Sequence, residues 1–153
     1  TAKCWWFIVI SSILVVCVGN ICRSPTAAKI LKNNFHKLRI ESSGIGAVVG
    51  SPASKKTQDI AMKNGINLEG HIARQFSNTL ASEFDLILAL ETEHLKHIYK
   101  VAPEIRGKAM LLGHWLEEKN IPDPHGKSLD FHAAIFKKIS EACESWIIRV
   151  EKK

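Results

Sequence analysis

The stretch Ser11-Ser12-Ile13-Leu14-Val15-Val16-Cys17-Val18 constrains the fold of this chain more than any other. It is uncharged, rich in β-branched side chains and as long as a typical strand. It shows no alternation of polar and apolar residues, so it suits a strand buried on both faces. Gly19-Asn20 follows as a turn signal. Ser24-Pro25 then opens a segment with apolar residues at helical spacing, Ala28, Ile30, Leu31 and Phe35. Serine at an N-cap and proline at the first helical position are helix starts. Strand, short loop and helix form half of a βαβ unit.

The rest of the chain repeats the alternation. A second strand is expected over Leu38 to Ser42, closed by Gly44 and Gly46, and a helix over Lys55 to Lys63 with Asn64-Gly65 as its stop. A short helix near Ser77 to Ser82 leads into an apolar strand from Phe84 to Leu90. Glu91 to Val101 reads as a helix ending before Pro103, and Ala109 to Leu112 as a fourth strand. Gly113 to Lys127, with Pro122, Pro124 and Gly126, reads as loop. Leu129 to Val150 repeats apolar residues, Cys143 among them, along one face of a long closing helix. Strands alternating with helices predict an α/β fold: a four-stranded parallel sheet with helices on both faces, in three layers, with its ligand beyond the carboxyl ends of the strands.

At 153 residues the chain has the length of one domain. Residues 11–153 are read as that domain and 1–10 as an N-terminal extension of uncertain origin. Cys4 to Val18 has a signal-like apolar character, but it is too short to span a bilayer and runs straight into Gly-Asn instead of a cleavage site. Lys and Arg number 21 against 15 Asp and Glu, a net charge of +6, and no run of five like charges occurs. Nucleic acid as partner and stable membrane insertion both lack support. Trp5, Trp6, Trp115 and Trp146 lack the basic interleaving of a base-stacking platform. Cysteines 4, 17, 22 and 143 have neither zinc-finger nor Cys-x-x-Cys spacing, so they are read as reduced thiols of a cytoplasmic protein. No metal or other cofactor is expected. His94 and His97, with Glu91 a turn earlier, are read as a solvated helix face rather than a metal clip.

The loop Cys17-Val18-Gly19-Asn20-Ile21-Cys22-Arg23-Ser24-Pro25 carries the chemistry. A loop joining a strand to a helix aims backbone amides inward, and the helix N-terminus adds its positive dipole end, so the pair forms an anion cradle. Gly19 permits close approach and Asn20 tolerates left-handed dihedrals. The amides and Arg23 are expected to lower the Cys17 thiol and supply a thiolate nucleophile. The Arg23 fork matches two oxygens of a phosphoryl group. Ser24 either caps the helix, donates to the sulfur, or does both. The absence of a Gly-x-x-x-x-Gly-Lys element excludes a nucleotide-hydrolysing phosphate loop.

The string Val15 to Pro25 resembles the phosphate loop of the low-molecular-weight protein tyrosine phosphatases. Further landmarks follow in that family's order: Glu41-Ser42-Ser43-Gly44, His71-Ile72-Ala73-Arg74-Gln75, Phe84-Asp85-Leu86-Ile87-Leu88 and Ile121-Pro122-Asp123-Pro124. The resemblance implies a Rossmann-like or flavodoxin-like phosphatase fold and hydrolysis of phosphotyrosine through a cysteinyl-phosphate. It implies Cys17 as nucleophile, Arg23 with Val18, Gly19, Asn20, Ile21, Cys22 and Ser24 as the phosphate-binding loop, and Asp123 as general acid, then base. It makes Cys22 a thiol that traps oxidised Cys17 as a disulfide, the alternative being a small core thiol. His71 is either a partner of the phosphate loop or a structural histidine.

Ile21, where the related arginine phosphatases carry Thr, favours aryl phosphate. Ala47-Val48-Val49 and His125-Gly126 stand where the eukaryotic branch has aromatics, so a less aromatic cleft wall is expected. Ala102 to Lys108 and Leu112 to Trp115 resemble the bacterial branch partnered with tyrosine autokinases of capsule or exopolysaccharide export. Two other functions suit the scaffold less well. An arsenate reductase on the same scaffold needs a cysteine pair after the third strand, and Leu88 to His97 has none. A non-catalytic phosphate-binding module has no use for Asp123.

Overall fold

The computed structural model describes residues 9–150. Most of the expected 1–10 extension, Cys4 included, lies outside the described residues; Ile10 is within them and is buried in the core. Four strands, β1 (Ser12–Cys17), β2 (Arg39–Gly44), β3 (Leu86–Ala89) and β4 (Ala109–Leu111), form one sheet in the order β2-β1-β3-β4. Every pairing is parallel, with Ile13 opposite both Ile40 and Leu86, and Ile87 opposite Ala109. The helices are α1 (Arg23–Asn34), α2 (Lys55–Lys63), α3 (Asn78–Ser82), α4 (Thr92–Val101) and α5 (Leu129–Ile147), with a 3₁₀ turn at Pro103–Lys108 that the sequence pattern did not suggest. The three-layer α/β expectation holds.

β1 explains the layering, because all six of its residues are buried and successive side chains point to opposite faces. Ile13, Val15 and Cys17 face one core with Leu31 of α1 and Ile139, Cys143 and Trp146 of α5. Leu14 and Val16 face the other with Ala81 of α3, Ile98 of α4 and Ile105. Trp146 is fully buried and its indole N–H donates to the Leu112 carbonyl at 2.7 Å, so its polar atom is satisfied where water is excluded. Among the described residues no helix is long and apolar enough to cross a membrane.

Boundaries differ from the sequence reading for physical reasons. β2 runs on to Gly44, because pairing with Cys17 extends it past its last apolar side chain. β3 is shorter than its apolar run: Phe84 packs in the second core before the strand begins, and Leu90 packs in the first core after it ends. The chain leaves β1 for β2 on one side and returns to β3 on the other. The carboxyl end of β1 therefore lies at the point where strand order reverses, where open parallel sheets bind ligands.

Candidate active site

β1 ends at Cys17 and α1 begins at Arg23, so residues 18–22 must turn within one short loop. Asn20 makes the turn with φ 58°, the left-handed conformation expected of it. The loop carbonyls are turned outward: those of Cys17, Val18 and Gly19 accept from the amides of Ile45, Gly46 and Val48 at 2.9, 3.0 and 3.0 Å, and that of Ile21 from Ser54 at 2.8 Å. The loop amides are left to face its hollow, which makes the anion cradle. This packing needs Gly44, where a Cβ would stand 2.2 Å from the Val18 carbonyl oxygen.

Asn20 ties the loop together from inside. It is fully buried and its side-chain amide donates to Ser24 Oγ at 2.8 Å and Ser42 Oγ at 3.0 Å. Its side-chain oxygen accepts from the Arg74 amide at 2.9 Å, and its carbonyl from His71 Nε2 at 2.6 Å. Ser24 Oγ lies 2.8 Å from Cys17 Sγ. Ser24 Oγ accepts from Asn20, and its own proton has two acceptors in reach, the Cys17 sulfur at 2.8 Å and the Ser43 carbonyl at 3.5 Å, of which the sulfur is the closer. The capping role offered for Ser24 is not its role here: the cap position is Cys22, which makes no side-chain cap bond.

Arg23 is 2% exposed. Its Nη1 donates to the Ile121 carbonyl at 2.8 Å and lies 3.2 Å from Glu91 Oε1, while Nη2 lies 3.8 Å from Asp123 Oδ2. Glu91 stands just beyond β3 as the cap of α4, and its backbone amide donates to His94 Nδ1 at 3.2 Å. The solvated-face reading of His94 is thus corrected. His94 is buried because it caps its own helix against the Arg23–Glu91 pair, and burial with the adjacent Arg23 charge lowers it to about 4.

The expectation of a lowered Cys17 thiol is corrected as well. Complete burial raises it, and the pull of Ser24, Arg23 and the Ser24 and Asn20 amides offsets only part of that rise. Desolvation disfavours the thiolate more than any single neighbour favours it.

The loop, Arg23, Asp123, Val48 and His125 surround a cleft of about 220 Å³. Val18 and Val48 are exposed at its rim, and His125 stands on the wall with Asp123, whose Oδ1 accepts the His125 amide at 3.0 Å. Among the described residues the lining carries no aromatic ring beyond that imidazole. The Cys22 thiol lies 3.2 Å from Ser54 Oγ, and Cys17, Cys22 and Cys143 form no disulfide among the described residues. Burial raises the Cys143 thiol beyond any range useful for chemistry.

Residues 12–153 match the family model described as low molecular weight phosphotyrosine protein phosphatase. This chain belongs to that family. The low molecular weight protein-tyrosine-phosphatase Wzb of Escherichia coli K12 is 46% identical over 136 residues, covering 89% of this chain and 92% of Wzb. Etp of the same organism is 42% identical over 142 residues, covering 93% and 96%. The crystal structure of the Erwinia amylovora tyrosine phosphatase AmsI matches with a TM-score of 0.91 and 37% identity, over 94% of this chain and 95% of that one.

The chain is a protein-tyrosine-phosphatase. The site of this phosphatase holds residues that sequence reasoning passed over. Glu91 secures Arg23 and His94 caps the helix that Glu91 begins, while Ser42 and Arg74 secure Asn20. A signal for Glu91 was present: a carboxylate directly after the strand next to β1 falls beside the carboxyl end of β1.

Proposed function

We propose that this phosphatase hydrolyses protein phosphotyrosine in two displacements at Cys17. The observation that carries the reading is the convergence of Cys17, Arg23 and Asp123 on one cleft at the carboxyl end of β1. In the first step the Cys17 sulfur, its proton already given up to solvent, bonds to phosphorus as a thiolate while the aryl oxygen leaves with the proton that the Asp123 carboxyl gives it. Arg23 and the amides of residues 18–24 hold the equatorial oxygens. In the second step a water oxygen bonds to phosphorus, Asp123 takes the water proton and the sulfur leaves as thiolate.

Ser24 supports the reading because its hydroxyl faces the sulfur that must carry charge, and His71 because it fixes Asn20 at the turn. Cys22, reduced and buried in the same loop, is assigned as the thiol that captures oxidised Cys17. Residues 11–153 act as one catalytic domain in the cytoplasm. The substrate is a phosphotyrosine protein, and a bacterial tyrosine autokinase is the partner that the likeness to Wzb and Etp favours. Phosphate release from tyrosyl, seryl and arginyl phosphopeptides under reducing conditions tests this. Turnover is expected with the tyrosyl peptide alone and is abolished in Cys17→Ser; release that persists in Cys17→Ser overturns it.

A further inference from the structure

Away from the catalytic cleft, α1, the edge strand β2 and the segment 67–74 enclose a second cleft of about 370 Å³, larger than the first. Its walls carry Lys29 and Lys32 of α1, Glu41 of β2, and Glu69, His71 and Arg74 of the segment. Glu41 is engaged by Arg39 and Arg74. Lys29 and Lys32, one helical turn apart, form no ion pair among the described residues, and Glu69 is the one carboxylate of these walls that is likewise unpaired. The cleft therefore holds an excess of positive charge at its α1 wall, with Asn67 and Glu69 as polar groups on the facing wall.

This cleft is wired to the reacting sulfur. His71 Nε2 donates to the Asn20 carbonyl and the Arg74 amide to the Asn20 side-chain oxygen; Asn20 donates to Ser24 Oγ, and Ser24 Oγ lies against Cys17 Sγ. Every bond in that series is 2.6 to 2.9 Å long, and Asn20, Ser24 and Cys17 are buried. The inner bonds, Asn20 to Ser24 and Ser24 to Cys17, are buried and shielded from water, while the outer two are half-buried at the cleft wall where an occupant would touch them, so a shift there reaches a segment where solvent does not absorb it. Asn20 is the residue in the left-handed conformation, which persists only while its surroundings hold it.

We propose that the cleft between α1, β2 and residues 67–74 binds a compact hydroxylated organic anion whose presence is transmitted through Asn20 and Ser24 to Cys17. Lys29 and Lys32 take the anionic head, Glu69 accepts from its hydroxyls, and Asn67, whose side-chain oxygen already accepts the Glu69 amide, donates to them through its side-chain nitrogen. An occupant bridging α1 to the segment stiffens the wall that holds Asn20, keeps the Ser24 hydroxyl on the sulfur and favours the thiolate. The transmission half rests on Cys17 being the reacting thiol.

Two measurements on the full chain test it. Amide shifts of ¹⁵N-labelled protein, its catalytic cleft blocked with vanadate, are followed during titration with gluconate, glucose 6-phosphate and glucose. The first two separate a carboxylate from a phosphate head, and glucose is the neutral control. Saturable shifts at residues 29–32 and 67–74 are expected with at least one anion, absent with glucose and absent in Lys29→Ala/Lys32→Ala. Separately, without vanadate, the binding anion is expected to speed iodoacetamide alkylation of Cys17 about fivefold, an ordinary size for coupling between two sites. That acceleration disappears in His71→Asn while the shifts remain.

No saturable shift at millimolar anion, or shifts unchanged in the lysine variant, overturns the site. Shifts without altered alkylation overturn the transmission. Aryl phosphate turnover is measured apart from both, so loss of the phosphatase reading itself registers only there.

Discussion

At the scale of single residues, the site sets burial against charge at Cys17. A fully desolvated thiol resists ionisation, and Ser24, Arg23 and two loop amides are the groups that counter it. Ser24→Ala removes the neighbour with the largest lowering effect, so the Cys17 thiol should rise further. Alkylation by iodoacetamide should then move to higher pH. Losing one hydrogen bond to a charged atom removes roughly 1.5–3 kcal/mol, which corresponds to about a 10- to 100-fold fall in kcat/KM at neutral pH. An alkylation profile that does not move would show that Ser24 has no hold on the sulfur. Arg23 is set in another way, because Glu91 and the Ile121 carbonyl fix its fork before any phosphoryl group arrives. Arg23→Lys keeps the charge and loses the planar fork, and a fall of about 100-fold or more in kcat/KM is expected with the circular dichroism spectrum unchanged.

At the scale of elements, the loop from Cys17 to Arg23 was legible because its determinants are local: a strand run, Gly19-Asn20 and Ser24-Pro25 lie side by side in the chain. The supports of that loop were not. The Arg23 bond to Ile121 spans 98 residues, and the Arg74 bond to Asn20 spans 54, and no periodicity encodes pairings of that reach. Of the two roles open to Ser24 only the contact with the sulfur is found, since the cap position depends on where β1 releases the chain and falls on Cys22. Gly44 shows how tightly the elements fit. It read as a strand terminator, yet its larger task is to let the end of β2 lie against the Val18 carbonyl. Gly44→Ala should force the phosphate loop outward, costing about 1–3 kcal/mol in urea midpoint measurements and lowering kcat more than stability alone explains. For the loop that bears Asp123, Asp123→Asn should cut kcat by roughly 10²- to 10⁴-fold with phosphotyrosine, and far less with aryl phosphates whose leaving groups need no proton. Equal losses across leaving groups would remove Asp123 from the role of acid.

At the scale of the whole molecule, the site and the stability of the fold share one group. His94 is buried at the start of α4 and joins the helix cap to Glu91, which in turn holds Arg23. In the folded protein it titrates at about 4, against an ordinary 6.5 in the unfolded chain. Between those values the unfolded chain binds the proton and the folded one does not, so stability rises with pH across that interval. The His94 contribution is complete above pH 6.5 and is lost as the pH falls toward 4. Its size is on the order of 2 kcal/mol, discounted from the full linkage value because solvent reaches the neighbouring Glu91 and Asp123. His94→Asn keeps a group able to accept the Glu91 amide but removes the titration. The wild type should therefore lose more stability between pH 7.5 and 4.5 than the variant does, measured as the shift of the urea midpoint for each. Parallel loss in both proteins would assign the acid sensitivity to other groups. Because asparagine keeps the bond that the Glu91 amide donates, Glu91 and Arg23 should stay in place, and KM for phosphotyrosine at pH 7.5, where the wild-type histidine is neutral and its cap intact, should be close to that of the wild type.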